Sequence, residues 1–358
     1  MNISVKMDSS TDRSTGELPR SSDDERSSTG ELPSSSSDKM NSFHDDKVKN
    51  SDEMKEDPSP DDFPTGLISP DKMKFFRLDI MLGKGSFGAV YQATHLPTGK
   101  RCVVKVILKL SQDIREMAVN EAHVGMTVES QCVCKTIAYA EDTKNVYIIM
   151  EHIEGMDLYD FIKKNPKIFQ KNPCLLLFVS EKIAKGIKDF HATGFVHADI
   201  KPENVFIGVS QDKTQITCVK LIDFGLSKST LEIQSHTAGT YDYLAPEIAK
   251  GTLRDSKIDI WSLGITMYAM LMMDLPSCIA SKNPNILSRK KEVLQNLRSL
   301  PMDGVFMPFK AMSTQPKYEM IQKVIMSCLT VNPLSRPTSE EVHVKLREIF
   351  FDFQKKDA

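Results

Sequence analysis

Residues 82–95 read LGKGSFGAVYQATH, three glycines spaced G-x-G-x-x-G and then a run with the alternation of a strand. Glycines at 83, 85 and 88 let backbone N–H groups close on phosphate oxygens without side chains in the way. The same letters open dinucleotide-binding folds, but there a helix must follow the last glycine. Here "AVYQAT" continues as a strand, and no βαβ unit surrounds the glycines. The spacing therefore favours a hairpin lid over a nucleotide.

Outward from this hairpin, "FRLDIM" before it and "KRCVVKVI" after it alternate and are rich in apolar residues, as strands are. "QDIREMAVNEAHVGMTV" (112–128) has helical spacing, and "NVYIIMEHI" (145–153) is another short apolar run. From Leu158 onward helical segments dominate, at 174–192, 257–273, 317–329 and 338–351. "NPLSRPTSEEV" supplies a Pro-rich turn and then Thr338 or Ser339 as an N-cap ahead of acidic first-turn residues. The fold class is α+β: a β-rich lobe with one main helix (about 76–151), then a helical lobe (about 154–351).

The bulk properties suit that plan. The chain has 358 residues, 40% apolar and 26% charged, enough for one large two-lobed domain and a tail. Residues 1–62 carry 8 Lys+Arg against 16 Asp+Glu, net −8, and the rest 38 against 32, net +6. The segment 1–66 is Ser-rich, acidic and poor in aromatics, so it cannot bury enough apolar area to order itself; we read it as a disordered tail. "STGELP" occurs twice in it, at 14–19 and 28–33, and "SSDDE" (21–25), Ser59 and Ser69 offer phosphate acceptors. The body lacks the dense basic stripe that nucleic acid requires. Its longest apolar run, "IWSLGITMYAMLMM" (260–273), is too short to span a bilayer. No secretory signal is visible, and seven scattered cysteines fit reduced thiols, so the expected location is cytoplasmic or nuclear.

Lys105 lies inside the apolar strand "CVVKVI", where a lysine is costly unless its ammonium meets anions. An edge-strand lysine can also snorkel to water, but the glycine run nearby argues for phosphate. Glu121, 16 residues on in the predicted helix, is a second anionic partner.

In chain order stand GKGSFGAV (83–90), VVK (103–105), Glu121, HADIKPEN (197–204), DFG (223–225) and APE (245–247). Six ordered motifs at this spacing resemble the signature set of eukaryotic-type protein kinases, over roughly residues 76–351. The resemblance implies a bilobal serine/threonine kinase that uses ATP and Mg²⁺ on protein substrates. Asp199 would accept or orient the proton of the substrate hydroxyl, and Lys201 would steady the moving phosphoryl group. Asn204 and Asp223 would hold Mg²⁺. Leu82, Gly83, Lys84, Gly85, Ser86, Phe87, Gly88, Ala89 and Val90 would cover the nucleotide, with Lys105 on its phosphates and paired to Glu121. Glu151 and Ile153 would offer hinge backbone to adenine, Met150 would line the back of that pocket, and Asp157 would bond the ribose. Thr240 and Lys201 point to Ser/Thr acceptors; Glu203 and Asp157 point to basic-flanked ones. Asp259 and a Glu247–Arg336 pair would be internal struts.

Three positions depart from the family pattern. Ala198 replaces the arginine that normally pairs with an activation-segment phosphate, although Ser235 and Thr237 remain available there. Val103 replaces an alanine beneath the adenine, where added methyls would crowd the purine. Gly125 replaces a bulky residue that stacks with Phe224 and His197, leaving a gap for a partner, a tail segment, or Val124 or Met126 to fill. The alternative is a pseudokinase scaffold; the presence of Lys105, Asp199 and Asp223 argues against it.

Overall fold

The computed structural model describes residues 3–4, 62–233, 239–252, 254–302, 308–309 and 313–357. Most of the acidic segment, with both STGELP copies, SSDDE and Ser59, lies outside the described residues, as do Ser235 and Thr237. The first strand, β1 (Ile3–Ser4), belongs to a sheet of the second lobe.

The first lobe is built on six strands: β2 (Gly66–Leu67), β3 (Phe76–Gly85), β4 (Gly88–His95), β5 (Arg101–Leu108), β6 (Thr136–Glu141) and β7 (Asn145–Glu151). Their order is β2-β6-β7-β5-β4-β3, antiparallel except for β2 beside β6. Strand alternation sends Cys102 and Val104 to one buried cluster, with Ala93, Ala138 and Ile149. Ile107, Val146 and Ile148 meet Ala118 and Ala122 of helix α1 (Gln112–Thr127) in a second cluster. Ser111 starts α1 as its N-cap, its Oγ accepting from the Ile114 amide at 3.3 Å. Packed structure begins inside the stretch read as tail: Phe63 sits edge-on to Phe76 at 5.9 Å, and Ile68 is buried beside them.

The second lobe holds α2 (Leu158–Lys164), α3 (Ile168–Lys171), α4 (Pro173–Ala192), α5 (Pro246–Lys250), α6 (Ile258–Met272), α7 (Ile286–Ser299), α8 (Pro316–Cys328) and α9 (Ser339–Asp357). The four helical segments read from the sequence are α4, α6, α8 and α9. Thr338 is the cap: its Oγ1 accepts from the Glu341 amide at 3.3 Å while Glu341 Oε2 accepts from the Thr338 amide at 2.8 Å. Every residue of α6 from Ile258 to Leu271 is buried, so its all-round apolar run is a core helix. Among the described residues no helix is long and apolar enough to cross a membrane.

Short strands also thread this lobe: β8 (Gly155–Asp157), β9 (Phe195–Val196), β10 (Val205–Val209), β11 (Gln215–Leu221) and β12 (Lys228–Ser229). β10 and β11 form an antiparallel hairpin, with β8 on one side and β1 on the other. The stretch "GVSQDKTQIT", read from the sequence as an insertion, is the turn of this hairpin and the strand ends beside it. The hairpin delivers its two ends, the 197–204 loop and Asp223, to one edge of the cleft.

Candidate active site

The glycine hairpin forms as the sequence implied. β3 and β4 are joined by Ser86 and Phe87, with Gly85 paired to Gly88. A Cβ on Gly88 would lie 1.9 Å from the Val106 carbonyl oxygen, so close approach to β5 requires glycine there. Gly83 and Gly85 have no protein atom within 4 Å of an added Cβ. No protein neighbour requires their small size, which leaves their exposed backbone open to a ligand. Leu82 is 55% exposed on the same strand. Lys84, Ala89 and Val90 lie in the same ladder, while Phe87 tucks against the cluster beneath α1.

Lys105 Nζ lies 2.7 and 2.9 Å from the two Glu121 oxygens and 3.1 Å from Asp223 Oδ1. Burial works against its charge, but Asp223 and Glu121 overcome it and raise its pKa. Lys105 in turn holds the Asp223 carboxyl down to about 2 against burial, so that group is an anion at neutral pH. Burial pushes Glu121 up to about 7 despite the ammonium beside it. Helix α1 is thereby clipped to β5 across the cleft face.

The 197–204 loop is held from below. Asp259, fully buried in α6, accepts from the amides of His197 (2.9 Å) and Ala198 (2.8 Å) and lies 2.8 Å from His191 Nε2. From that base Asp199 emerges with both oxygens engaged. Oδ1 accepts from the Thr240 amide (3.1 Å) and hydroxyl (2.8 Å), and Oδ2 from Asn204 Nδ2 (2.8 Å). Lys201 Nζ donates to Thr240 Oγ1 at 2.7 Å and sits 3.1 Å from Asp199 Oδ2. The Asn204 carbonyl accepts from the Ile222 amide at 2.9 Å, which places Asp223 next along the chain. Asp223 has φ +61°, a strained left-handed conformation for a residue other than glycine. The geometry thus brings together Lys105, Glu121 and Asp223 on one side and Asp199, Lys201, Asn204 and Thr240 on the other.

A model of the protein kinase domain matches residues 76–345, three quarters of the chain. The chain belongs to the protein kinase family. It is 29% identical over 231 residues to an Aurora kinase of Eremothecium gossypii, covering 63% of this chain and 60% of that one. It is 32% identical over 205 residues to an Aurora kinase of Candida glabrata, covering 56% and 55%. With the serine/threonine-protein kinase pkn2 of Myxococcus xanthus it shares 29% over 287 residues, 76% of this chain but 32% of that one. The chain thus spans less than two thirds of the length of each of these relatives.

The kinase closes the gap expected at Gly125. Phe224, 2% exposed, packs against Phe190 with ring centroids 5.5 Å apart and edge-on to His197 at 5.8 Å. A Cβ on Gly125 would lie 2.1 Å from Thr136 Oγ1 and 3.1 Å from Phe224 Cδ2. Neither a partner nor the tail is needed: Thr136 and Phe224 occupy the space themselves. A Gly125→Ala change therefore sets two effects against each other. Helix propensity favours alanine by about 1 kcal/mol, whereas overpacking a core costs about 1–3 kcal/mol. The contact distances decide for overpacking. Urea unfolding of Gly125→Ala should show a net loss of stability, and a gain would mean the site is looser than the structure has it.

In the hinge of the kinase, Glu151 contributes its side chain as well as its backbone. Its Oε1 accepts from Lys220 Nζ at 2.6 Å and from the Lys135 amide at 2.7 Å, tying the end of β7 to β11. Ile153 follows and packs against the large core of the second lobe. Asp157 is an N-cap, its Oδ1 accepting from the Asp160 amide at 2.7 Å at the start of α2. Val103 lies two residues from Lys105 on the same face of β5, opposite Met150 of β7, where Met150 was expected. His191 and Lys220 escaped the sequence reading. Lys220 did carry a usable signal, a lysine inside the apolar strand "CVKLI", the same one that marked Lys105.

Proposed function

We propose that this kinase is catalytically active and transfers the γ-phosphoryl group of ATP to serine or threonine hydroxyls of proteins. The observation that carries the reading is the Thr240 hydroxyl bridging Asp199 and Lys201, at 2.8 and 2.7 Å. That bridge fixes a carboxylate and an ammonium side by side where an acceptor hydroxyl must approach. Asp199 takes or orients the hydroxyl proton, and Lys201 stabilises charge on the moving phosphoryl oxygens. Lys105, held cationic, binds the phosphates behind it, and the open glycine hairpin covers them.

The donor set fits magnesium. Asp223 is anionic, and Asn204 spends its amide nitrogen on Asp199 O and Oδ2, both at 2.8 Å, leaving its carbonyl oxygen for a cation. Among the described residues no three His, Cys, Asp or Glu side chains form a metal cage. Two protein oxygens completed by phosphates and water are what a small hard cation takes. When bound, magnesium supplies neutralisation of phosphate charge.

Two finer readings follow. Ala198, buried and at φ +66°, offers no cation to an activation-segment phosphate, so activity does not depend on phosphorylation through that contact. Glu203, beside Asn204, supports a preference for basic-flanked acceptors; Asp157, engaged as a helix cap, supports it less. The test is labelling of a generic basic protein with γ-labelled ATP and magnesium, before and after phosphatase treatment of the kinase. Phosphoserine or phosphothreonine should form at similar rates in both cases. Loss of activity after treatment would contradict the Ala198 reading, and no label at all the proposal itself.

A further inference from the structure

The outer edge of β11 is occupied along its length, but by two segments far apart in sequence. At its C-terminal end, Leu221 pairs in parallel with Val133: the Leu221 amide donates to Cys132 O at 2.9 Å, and Leu221 O accepts from the Cys134 amide at 2.8 Å. At its N-terminal end β1 takes over, antiparallel, with Ile3 opposite Ile216 and Ser4 opposite Gln215. An uncovered strand edge is a template for unwanted pairing, and covering it is how folded chains avoid that. The sequence of β1 suits the task. Met1, Ile3 and Val5 alternate with Asn2 and Ser4, an apolar alternation at the head of a segment otherwise dominated by Ser, Asp, Glu and Pro.

We propose that the Gln215–Thr217 edge of β11 is a strand-docking site, and that its occupant is the amino-terminal end of this same chain. Its recognition chemistry is backbone pairing to an extended, β-branched segment. The consequence is mechanical. The acidic segment is anchored at both ends, on the second lobe through β1 and on the first through Phe63 and Ile68. The anchored strand is also the one whose Lys220 holds Glu151 at the hinge. A two-residue ladder holds a free peptide weakly; tethering, with an effective concentration of order mM, makes docking in cis the favoured arrangement.

Hydrogen exchange on the full-length protein tests this without reference to catalysis. An Ile3→Pro/Ser4→Pro variant removes both strand donors, and deletion of residues 1–6 removes the occupant. Both should speed exchange of the 215–217 amides at least tenfold while amides of α4 stay unchanged. A peptide of residues 1–8, added at millimolar concentration, should restore protection to the deleted protein. Unchanged exchange at 215–217 in both variants would overturn the proposal. So would protection that rises with protein concentration alongside a dimer seen by light scattering, because the occupant would then be a second copy.

Discussion

Replacing Arg336 with methionine is expected to lower the unfolding free energy by about 3–5 kcal/mol, the usual result of stranding one member of a buried ion pair. Arg336 and Glu247 are both fully buried, joined at 2.7 and 3.0 Å. The guanidinium spends its other N–H groups on the carbonyls of Thr330 (2.9 Å), Lys257 (2.8 Å) and Val331 (3.3 Å), with its plane 5.3 Å from the Trp261 ring. Methionine keeps the volume but leaves a buried carboxylate and three carbonyls without donors. Domains are stable by only about 5–15 kcal/mol, so this one change removes a large share. Urea unfolding measures it. Adding Glu247→Gln should recover part of the loss, because the charge is gone, and a single-variant loss below about 1 kcal/mol would mean the pair is far better hydrated than its burial implies.

Asp199→Asn should lower kcat by about 10²–10⁴, the range for removing a positioned general base, or about 3–5 kcal/mol in barrier. Asparagine keeps the shape, but it cannot accept from both the Thr240 hydroxyl and amide on one side and from Asn204 and Lys201 on the other. The substitution leaves Lys105, Glu121 and Asp223 untouched, so Mg·ATP affinity should stay within a few-fold of wild type. A kcat near wild type would remove Asp199 from the proton step.

These expectations show where the sequence was legible. Lys105, Glu121, Asp199, Asn204 and Asp223 could be read because each is a costly polar residue at a fixed offset from a glycine run or an apolar strand. The four main helices of the second lobe could be read because their apolar spacing persists over many turns. α7 escaped because Val293 and Leu297 are its only buried residues among polar neighbours. The β10–β11 hairpin escaped because "VFIGV" is too short for periodicity to declare it. Gly125 was misjudged for a different reason: whether a missing side chain leaves a hole depends on Thr136 and Phe224 arriving from elsewhere, and no local pattern records that. His191 under Asp259, and Glu151 held by Lys220, are likewise products of tertiary approach.

The central claim is that side chains at 105, 199 and 223 converge on one magnesium-bound nucleotide. Calorimetric titration of Mg·ATP into the wild-type protein and into Asp223→Asn tests it most directly. The wild type should take up one equivalent, and Asp223→Asn should bind at least tenfold more weakly in magnesium. No saturable heat with the wild type at millimolar Mg·ATP would contradict the account.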